Sequence, residues 1–176
     1  NSPIGLIPDL AQHLVGAGGK RLRPLLTVSC ARLCGYGGEG HYNLAAAVEF
    51  IHSATLLHDD VVDSAVLRRG QDSANAVWGN EASVLVGDFL FAKSFTIMVR
   101  EGNLDILRTL SDATTQMAEG EVLQLISTSD VELDEEHYIE VVRNKTAVLL
   151  SAASRSGAIL GGCSAEEEEA LAAYGM

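Results

Sequence analysis

The sequence has few of the residues that build β-rich or disulfide-bonded domains. Its 176 residues include four phenylalanines, four tyrosines, one tryptophan and three prolines, whereas aliphatic residues and alanine are abundant. This composition favours a helical domain over a β-sandwich, and the length is sufficient for one domain with a substantial core. No uninterrupted apolar run approaches about 20 residues, which argues against a membrane span, and no signal or transit peptide is visible.

Cysteine is also scarce. The three cysteines are an odd number, and Cys30 and Cys34 are four residues apart in an apolar helical stretch. We interpret them as reduced core thiols in a reducing compartment rather than as zinc ligands.

Basic residues are few and unevenly placed. The chain has 12 lysines and arginines against 24 acidic residues, a net charge of −12, which argues against a nucleic-acid partner. The basic residues form one cluster at 20–23 and another at 68–69. An acidic protein with clustered cations is suited to binding a small anion, and ordinary surface charge is the alternative.

Helical patterns follow one another and predict an all-α bundle without a convincing strand. Pro24 marks the first turn of one helix, Asn43 is a suitable N-cap for a long helix, and Gly161 and Gly162 end another. The predicted helices cover about 24–35, 44–63, 81–100, 104–127, 135–160 and 166–174, with loops at 35–40 and 128–134 and a connecting loop with a short helix at 64–78.

The sequence LLHDDVVD at 56–63 places three carboxylates directly after an apolar run. In a helix Asp59 and Asp63 lie on one face, Asp60 lies about 100° around, and His52 is two turns earlier on nearly the same face. Carboxylates about 5.4 Å apart along the axis repel unless a cation lies between them. Mg²⁺ suits this spacing because it bridges carboxylates to phosphates; a solvated acidic helix end is the alternative.

Two basic segments are suited to binding diphosphate. Arg68 and Arg69, next to a mobile glycine, can make bidentate contacts. In the segment GGKRLRP the glycines allow close approach to an anion, and Lys20 and Arg23 come just ahead of a helix N-terminus. A basic loop that caps a helix is the alternative. Together with His52, the segments predict a second diphosphate pocket without its own metal.

These ordered motifs resemble those of the trans-isoprenyl diphosphate synthase (polyprenyl synthetase) family. The resemblance covers nearly the whole chain and rests on GGKRLRP, IHSATLLHDDVVD, LRRG, VWGNEASVLVGDFLFAKSF, AEGEVLQL and the pair Lys145-Thr146. In detail the chain is similar to bacterial long-chain synthases, which make octaprenyl to decaprenyl chains for quinones. The resemblance implies an isoprenoid-synthase-type helical bundle around a central cavity, with residues 1–176 in a single polyprenyl synthetase domain.

The resemblance also implies a Mg²⁺-dependent prenyltransferase that condenses isopentenyl diphosphate with an allylic diphosphate. Asp59 and Asp63 would bind the metal, roughly two or three ions in all, with Asp60 supporting them. Arg68 would contact the allylic diphosphate. The family positions that hold isopentenyl diphosphate match Lys20, Arg23, His52 and Arg69.

Two further residues match a family position near the allylic diphosphate, namely Lys145 and Thr146. An ordinary surface lysine is the alternative for Lys145. No nucleophilic serine or cysteine is required by the implied reaction.

We expect the residues just before the aspartates to control the length of the product. A growing apolar chain needs a tunnel, and the small side chains of Ala54 and Thr55, a turn before Asp59, leave space for a long product. A bulky aromatic there would stop the chain early. The next candidates are Ile51 and, at the far end, Phe91, Phe95 and Met98; ordinary core packing is the alternative for each.

One element of the family is absent from this sequence. The second aspartate-rich motif, usually Phe-Gln-x-x-Asp-Asp-x-x-Asp, does not occur, and the chain stops at AAYGM within a helical pattern. We therefore expect residues 1–176 to be the N-terminal portion of a longer enzyme, with little or no synthase activity alone.

Other functions remain open. These are a medium-chain farnesyl or geranylgeranyl synthase, a non-catalytic synthase-like subunit, and a di-iron bundle. For the di-iron bundle, Glu49-x-x-His52 supplies half of the sequence signature, but Glu136-His137 does not have the spacing of the other half. The intact aspartates and arginines argue against the non-catalytic subunit. From the family we expect a homodimer packed through the helix at 84–99, at most transient membrane contact, and a cytoplasmic bacterial location, with a mitochondrial one as the alternative.

Overall fold

The computed structural model describes residues 2–128 and 133–176, and most of its regular structure is helical. The helices are α1 (Leu6–Gly16), α2 (Leu22–Leu33), α3 (Gly40–Val62), α4 (Ala74–Trp78), α5 (Asn80–Glu101), α6 (Leu104–Ser127), α7 (Glu135–Val142), α8 (Val148–Gly161) and α9 (Ala165–Gly175). A π-helical turn, Arg143–Ala147, joins α7 to α8. The strands β1 (Leu67–Arg68) and β2 (Gln71–Asp72) pair as a short antiparallel ribbon. The prediction of an all-α fold is confirmed.

The chain divides into two compact units. The first comprises Asn1–Arg21 and Glu49–Thr96, and the second comprises Leu22–Val48 and Ile97–Met176. Helices α3 and α5 each contribute residues to both units, because the boundaries fall inside them.

The core of the first unit is built from α1, α3, α4 and α5. Its buried side chains are Leu10, Leu14, Ala54, Leu57, Ala74, Val86 and Leu90. The ring of His13 on α1 meets the ring of Trp78 edge-on, and its Nε2 lies 2.8 Å from the carbonyl oxygen of Asp72. Helix α1 therefore supports both the ribbon and α4, which follow the aspartate-rich end of α3.

Helix α8 is the centre of the second unit, because it packs against α2, α6 and α9. Its buried positions are mostly small, and Gly157 allows the closest approach. A methyl group at Gly157 would lie 2.6 Å from the carbonyl oxygen of Thr27 and 2.8 Å from the backbone nitrogen of Ala31. The backbone of α2 therefore rests directly on α8.

Helix α3 begins earlier than predicted. It starts at Gly40, so Asn43 lies inside the helix and its amide donates to Glu101 Oε1 at 2.9 Å instead of capping. The fully buried His41 packs between the rings of Tyr36 and Tyr42. This aromatic packing draws the preceding turn into the helix and overrides the N-cap preference of asparagine.

Two other predicted segments differ from the structure. Within 64–78 the predicted short helix is present as α4, but the β1–β2 ribbon was not predicted. The predicted helix 135–160 is interrupted by the π turn. Helix α1 was not predicted. The predicted break at 128–134 falls partly on residues 129–132, which lie outside the described residues.

Helix α5 bears on the membrane prediction. Within the described ranges it is the one helix long and apolar enough to cross a membrane by length and composition, and one third of its most apolar window is buried. The prediction counted uninterrupted apolar runs, which Asp88 and Lys93 break here. The buried side chains of Val86 and Leu90 lie in the core of the first unit.

Candidate functional site

The three aspartates at the end of α3 have different environments. The backbone N–H of Asp63 donates to the carbonyl oxygen of Asp59 at 2.8 Å, so helical register continues through this pair. The two residues therefore share one face, as their spacing predicts. Asp59 is half-buried and Asp63 is exposed, whereas Asp60 is only 1% exposed.

Asp60 is held by Arg68, the second residue of β1. The Nε of Arg68 lies 2.8 Å from both carboxylate oxygens, and Nη2 makes a third contact with Oδ1. The carbonyl oxygen of Asp60 accepts hydrogen bonds from the backbone N–H of Ala65 at 2.9 Å and from the Asn75 amide at 3.2 Å. Asp60 thus organises the whole turn that brings the ribbon back to α3.

The charge of Arg68 is stabilised by all three aspartates. The hydrogen bonding that Arg68 donates to Asp60 is the main cause that raises the pKa of Arg68 above its usual value, and the charges of Asp60, Asp59 and Asp63 add to it. The guanidinium therefore stays charged beside two carboxylates that share a helix face. The guanidinium of Arg68, which can bind an anion, therefore lies next to the carboxylates of Asp59 and Asp63, which are candidates for binding a metal cation.

Arg69 contacts the glycine-rich segment near the N-terminus. It has a left-handed backbone, with φ of 53°, and its Nη1 donates to the carbonyl oxygen of Gly18. A methyl group at Gly19, whose own φ is 138°, would lie 3.1 Å from the Cζ of Arg69. The first unit therefore brings together two segments that the sequence predicts to bind diphosphate.

Arg21 has a structural position that the sequence did not predict. Its guanidinium donates to the carboxylate of Glu49 and, at 2.8 Å, to the carbonyl oxygen of Val15. Lys20, one residue earlier, is exposed. Arg21 is therefore held in an ion pair within the protein, whereas its neighbour Lys20 lies at the surface. The pairing of Glu49 also argues against its use as an iron ligand.

His52 lies in the first unit, half-buried on α3, whereas Arg23, Lys145 and Thr146 lie in the second unit. Arg23 is in the first turn of α2 rather than ahead of the helix, and it is half-buried. Lys145 and Thr146 lie in the π turn, a conformation often found at functional sites. The Nζ of Lys145 lies 2.7 Å and 2.9 Å from the two carboxylate oxygens of Glu121 on α6. No spacing rule relates positions so far apart, so the sequence did not predict Glu121.

A close approach of backbones supports the π turn. A methyl group at Gly120 would lie 2.9 Å from the backbone nitrogen of Lys145 and 2.9 Å from the Cβ of Asn144. Glycine at this position therefore allows α6 to contact the turn that carries Lys145.

The candidate tunnel residues are buried to different degrees. Ala54 is 1% exposed and belongs to the first-unit core, and Ile51 is fully buried. Thr55 is half-buried, and its hydroxyl donates to the carbonyl oxygen of His52 at 2.9 Å. Further along, the rings of Phe91 and Phe95 meet edge-on at 5.2 Å, and Met98 is fully buried. Their effect on product length stays a prediction.

The aspartates offer a partial coordination shell for a metal. Among residues 2–128 and 133–176, no group of three or more His, Cys, Asp or Glu side chains is arranged to enclose an ion. Mg²⁺ does not require such a cage, because it keeps several waters and binds one or two carboxylates together with substrate phosphates. The pair Asp59 and Asp63 therefore fits Mg²⁺ that is bound with a diphosphate.

Comparison with known proteins connects this arrangement to a family. A family model described as polyprenyl synthetase matches residues 5–176. The octaprenyl diphosphate synthase of Escherichia coli is 50% identical over 175 residues, which are 99% of this chain and 54% of that protein. The octaprenyl diphosphate synthase of Haemophilus influenzae is 46% identical over 99% of this chain and 53% of its own length. The chain thus spans about half the length of these relatives.

Solved structures agree with these matches. A decaprenyl diphosphate synthase from Rhodobacter capsulatus superposes with a TM-score of 0.97 and 52% identity, over 99% of this chain and 54% of that one. A polyprenyl synthase from Caulobacter crescentus, complexed with calcium and isoprenyl diphosphate, has the same TM-score and identity over 99% of this chain and 53% of its own. The predicted isoprenoid-synthase-type helical fold is confirmed.

Proposed function

Because this chain belongs to the polyprenyl synthetase family, we propose that it is the N-terminal portion of a prenyltransferase that makes long-chain all-trans polyprenyl diphosphates. The observation that carries the proposal is the end of α3, where Asp59 and Asp63 share a face beside the Asp60–Arg68 ion pair. The octaprenyl and decaprenyl synthases among its relatives support a long product, of the kind used for quinone side chains.

The two substrates require anion sites of different chemistry. The allylic substrate must lose its diphosphate, so its site would combine Mg²⁺, held by Asp59 and Asp63, with the guanidinium of Arg68. Isopentenyl diphosphate must keep its diphosphate, so its site should contain cations without an ionising metal. By resemblance, the residues of this second site are Lys20, Arg23, His52 and Arg69.

The proposed reaction begins with departure of the allylic diphosphate. When bound, Mg²⁺ acts as a Lewis acid that neutralises the leaving group. Arg68 would add fixed positive charge where negative charge develops. By resemblance, Lys145 and Thr146 match a family position near the same diphosphate. The double bond of isopentenyl diphosphate attacks the allylic cation, and the product then loses a proton to the departed diphosphate.

The most direct test is an elongation assay with the intact protein that contains this chain. Radiolabelled isopentenyl diphosphate, farnesyl diphosphate and Mg²⁺ should give labelled products that chromatography sizes as octaprenyl to decaprenyl. Products that stop at geranylgeranyl length would favour the medium-chain alternative. Absence of any elongation would remove the synthase proposal and favour a non-catalytic subunit.

The metal assignment predicts a change in Mg²⁺ dependence. Asp59→Asn and Asp63→Asn should each raise the Mg²⁺ concentration for half-maximal rate at least about tenfold, the loss seen even for outer-shell partners of metals. The measurement is the initial rate against Mg²⁺ concentration. Asp88→Asn is the matched control, because Asp88 is an exposed aspartate that is not a proposed metal ligand. Its carboxylate lies 3.4 Å from His58. An unchanged Mg²⁺ curve in both test variants would exclude these ligands.

The tunnel assignment predicts a change in product length. Ala54→Phe places an aromatic ring one turn before Asp59 and should shorten the product by several isoprene units. Because Ala54 is packed in the core, the added volume costs about 1–3 kcal/mol of stability, so circular dichroism must confirm folding. Thr55→Phe at the half-buried neighbour is a second probe. Folded variants with unchanged product length would rule out a tunnel at this position.

The remaining properties are proposed from the same resemblance. A homodimer would use α5, whose exposed apolar residues include Val84, Leu85 and Val99. The lipid product suggests transient membrane contact, and a cytoplasmic bacterial location is proposed ahead of a mitochondrial one.

A further inference from the structure

The guanidinium of Arg21 connects three parts of the first unit. Its Nη2 donates to the carbonyl oxygen of Val15, in the last turn of α1, at 2.8 Å, and its Nη1 donates to the carboxylate of Glu49 on α3. Arg21 is itself the last residue of the loop between α1 and α2, residues 17–21. One side chain therefore fixes the end of this loop to two helices at once.

The backbone of the loop needs such support. Gly18 and Gly19 have φ of 82° and 138°, and Arg21 has φ of 51°. A left-handed φ is open to glycine but unfavourable for a residue with a Cβ. Two consecutive glycines also give an unsupported chain many alternative conformations. The contacts of Arg21 with Val15 and Glu49 therefore select one loop conformation among several.

The loop carries or contacts two of the residues proposed to bind isopentenyl diphosphate. Lys20 directly precedes Arg21 and is exposed. Arg69 is also exposed, and its Nη1 donates to the carbonyl oxygen of Gly18. A methyl group at Gly19 would lie 3.2 Å from Nη2 of the same guanidinium, which therefore lies across the loop backbone. A shift of the loop would move these two cations relative to each other.

Glu49 places the anchor of the loop on the face of α3 that also carries His52. The two residues are three apart in one continuous helix, so their side chains are neighbours on its surface. The side chain of Glu49 is only 17% exposed and that of Arg21 is 36% exposed. A partly buried pair of this kind is screened less by water and salt than an ordinary surface pair. The loop is thus held firmly beside a third residue proposed to bind isopentenyl diphosphate.

We propose that Arg21 and Glu49 are positioning residues for the isopentenyl diphosphate site, a role that rests on the proposed function. Neither residue needs to touch the substrate, because the guanidinium of Arg21 already has two acceptors within the protein. Instead, their ion pair holds the loop so that Lys20 and Arg69 direct positive charge at one diphosphate. A site that binds a diphosphate without a metal depends on cations that are held in place before the ligand arrives.

The alternative is an ion pair that only stabilises the fold. Such a pair would change the Tm, but its folded variants would bind both substrates normally. A positioning pair has a selective effect on isopentenyl diphosphate. It leaves the allylic substrate and Mg²⁺ unaffected, because these are assigned to Asp59, Asp63 and Arg68.

The test measures kinetics and binding in the intact protein that contains this chain. Arg21→Gln and Glu49→Gln each remove one charge and keep a polar side chain. Each should raise the KM for isopentenyl diphosphate in the elongation assay, and its Kd measured by calorimetry without Mg²⁺, by about tenfold, which corresponds to one charge-assisted hydrogen bond. The KM for farnesyl diphosphate and the Mg²⁺ dependence should stay unchanged. Circular dichroism and thermal melting confirm that each variant is folded at the assay temperature.

The double variant, with both Arg21→Gln and Glu49→Gln, reports the pairing itself. It leaves no unpaired charge, and its KM for isopentenyl diphosphate should be no higher than that of either single variant, because the two residues act through one contact. Arg108→Gln is the matched control. Arg108 also forms an ion pair, with Asp105 at 3.1 Å, but both side chains are 70% exposed and lie in the second unit. This control should leave both KM values unchanged.

Other results would overturn the proposal. In folded variants, an unchanged KM and Kd for isopentenyl diphosphate would reduce the ion pair to a stabilising contact, and an equal rise in the KM of both substrates would indicate general disruption. If the unmodified protein neither elongates nor binds isopentenyl diphosphate, the proposed function and the positioning role both fail. If it binds isopentenyl diphosphate without elongation, and Arg21→Gln weakens that binding, the positioning role stands although the proposed reaction does not.

Discussion

Replacing Asp60 with alanine should lower the stability of the protein by about 3 kcal/mol and the proposed synthase activity of the intact enzyme by about 10²–10³-fold. Asp60 is 1% exposed and binds Arg68 through both carboxylate oxygens. Breaking a buried pair leaves the remaining charge without compensation and costs about 3–5 kcal/mol; the partial exposure of Arg68 places the cost at the lower end. Activity falls because Arg68 is no longer oriented, a loss comparable to removing one preorganised donor.

A double-mutant cycle separates this ion pair from ordinary packing. Arg68→Ala should also be destabilised, but Asp60→Ala should cost clearly less in the Arg68→Ala background, because no unpaired guanidinium remains. Stability is measured by urea unfolding, and activity by the elongation assay. If the cost of Asp60→Ala were the same in both backgrounds, the contacts between the two side chains would not explain the stability of the turn, and our account of Asp60 would be wrong.

Replacing Gly157 with valine should lower the Tm by about 6–12 °C, which corresponds to about 3 kcal/mol for a chain of this size. An added Cβ would lie 2.6 Å from the carbonyl oxygen of Thr27, 2.8 Å from the nitrogen of Ala31 and 2.8 Å from the Cβ of Cys30. Backbone atoms cannot move aside as the end of a flexible side chain can. Helix α2 would therefore have to separate from α8, with loss of the packing that forms the second unit.

Gly16→Ala is the matched control for this effect. Gly16 is also helical, but an added Cβ there meets nothing within 4 Å. This substitution should be neutral or stabilising by up to about 1 kcal/mol, because it restricts the unfolded chain without a clash. If Gly157→Val melted like the unmodified protein, the close packing of α2 on α8 would not be the source of stability proposed above.

The sequence predicted the parts of the site that depend on helical periodicity. Asp59 and Asp63 share a face because four residues make about one turn, and the structure has that register. The same rule applied to Leu10 and Leu14, also four residues apart, would have indicated α1. Periodicity also predicted α6 within the bounds that the structure gives, Leu104–Ser127.

The rest of the site depends on contacts that no local pattern encodes. The partner of Asp60 is found only when the ribbon folds back, and strands of two residues are too short to show alternation. Likewise, the composition of the basic segment does not separate Arg21, which is bound by Glu49, from the exposed Lys20. The asparagine at 43 shows the reverse case, in which a suitable local cap is overridden by the aromatic packing of His41.

The π turn adds a single residue to the helical path from α7 to α8, and the register between the two helices depends on that residue. The backbone N–H of Val148 donates to the carbonyl oxygen of Arg143, five residues earlier, so the turn contains one residue more than an α-helix would. Since each residue advances an α-helix by about 100°, removing one residue from Arg143–Ala147 would rotate everything before it by that angle relative to α8. Both helices could survive such a deletion, yet Lys145 would no longer face Glu121. Along this stretch, a change in chain length would therefore alter the site more than most changes in side chain.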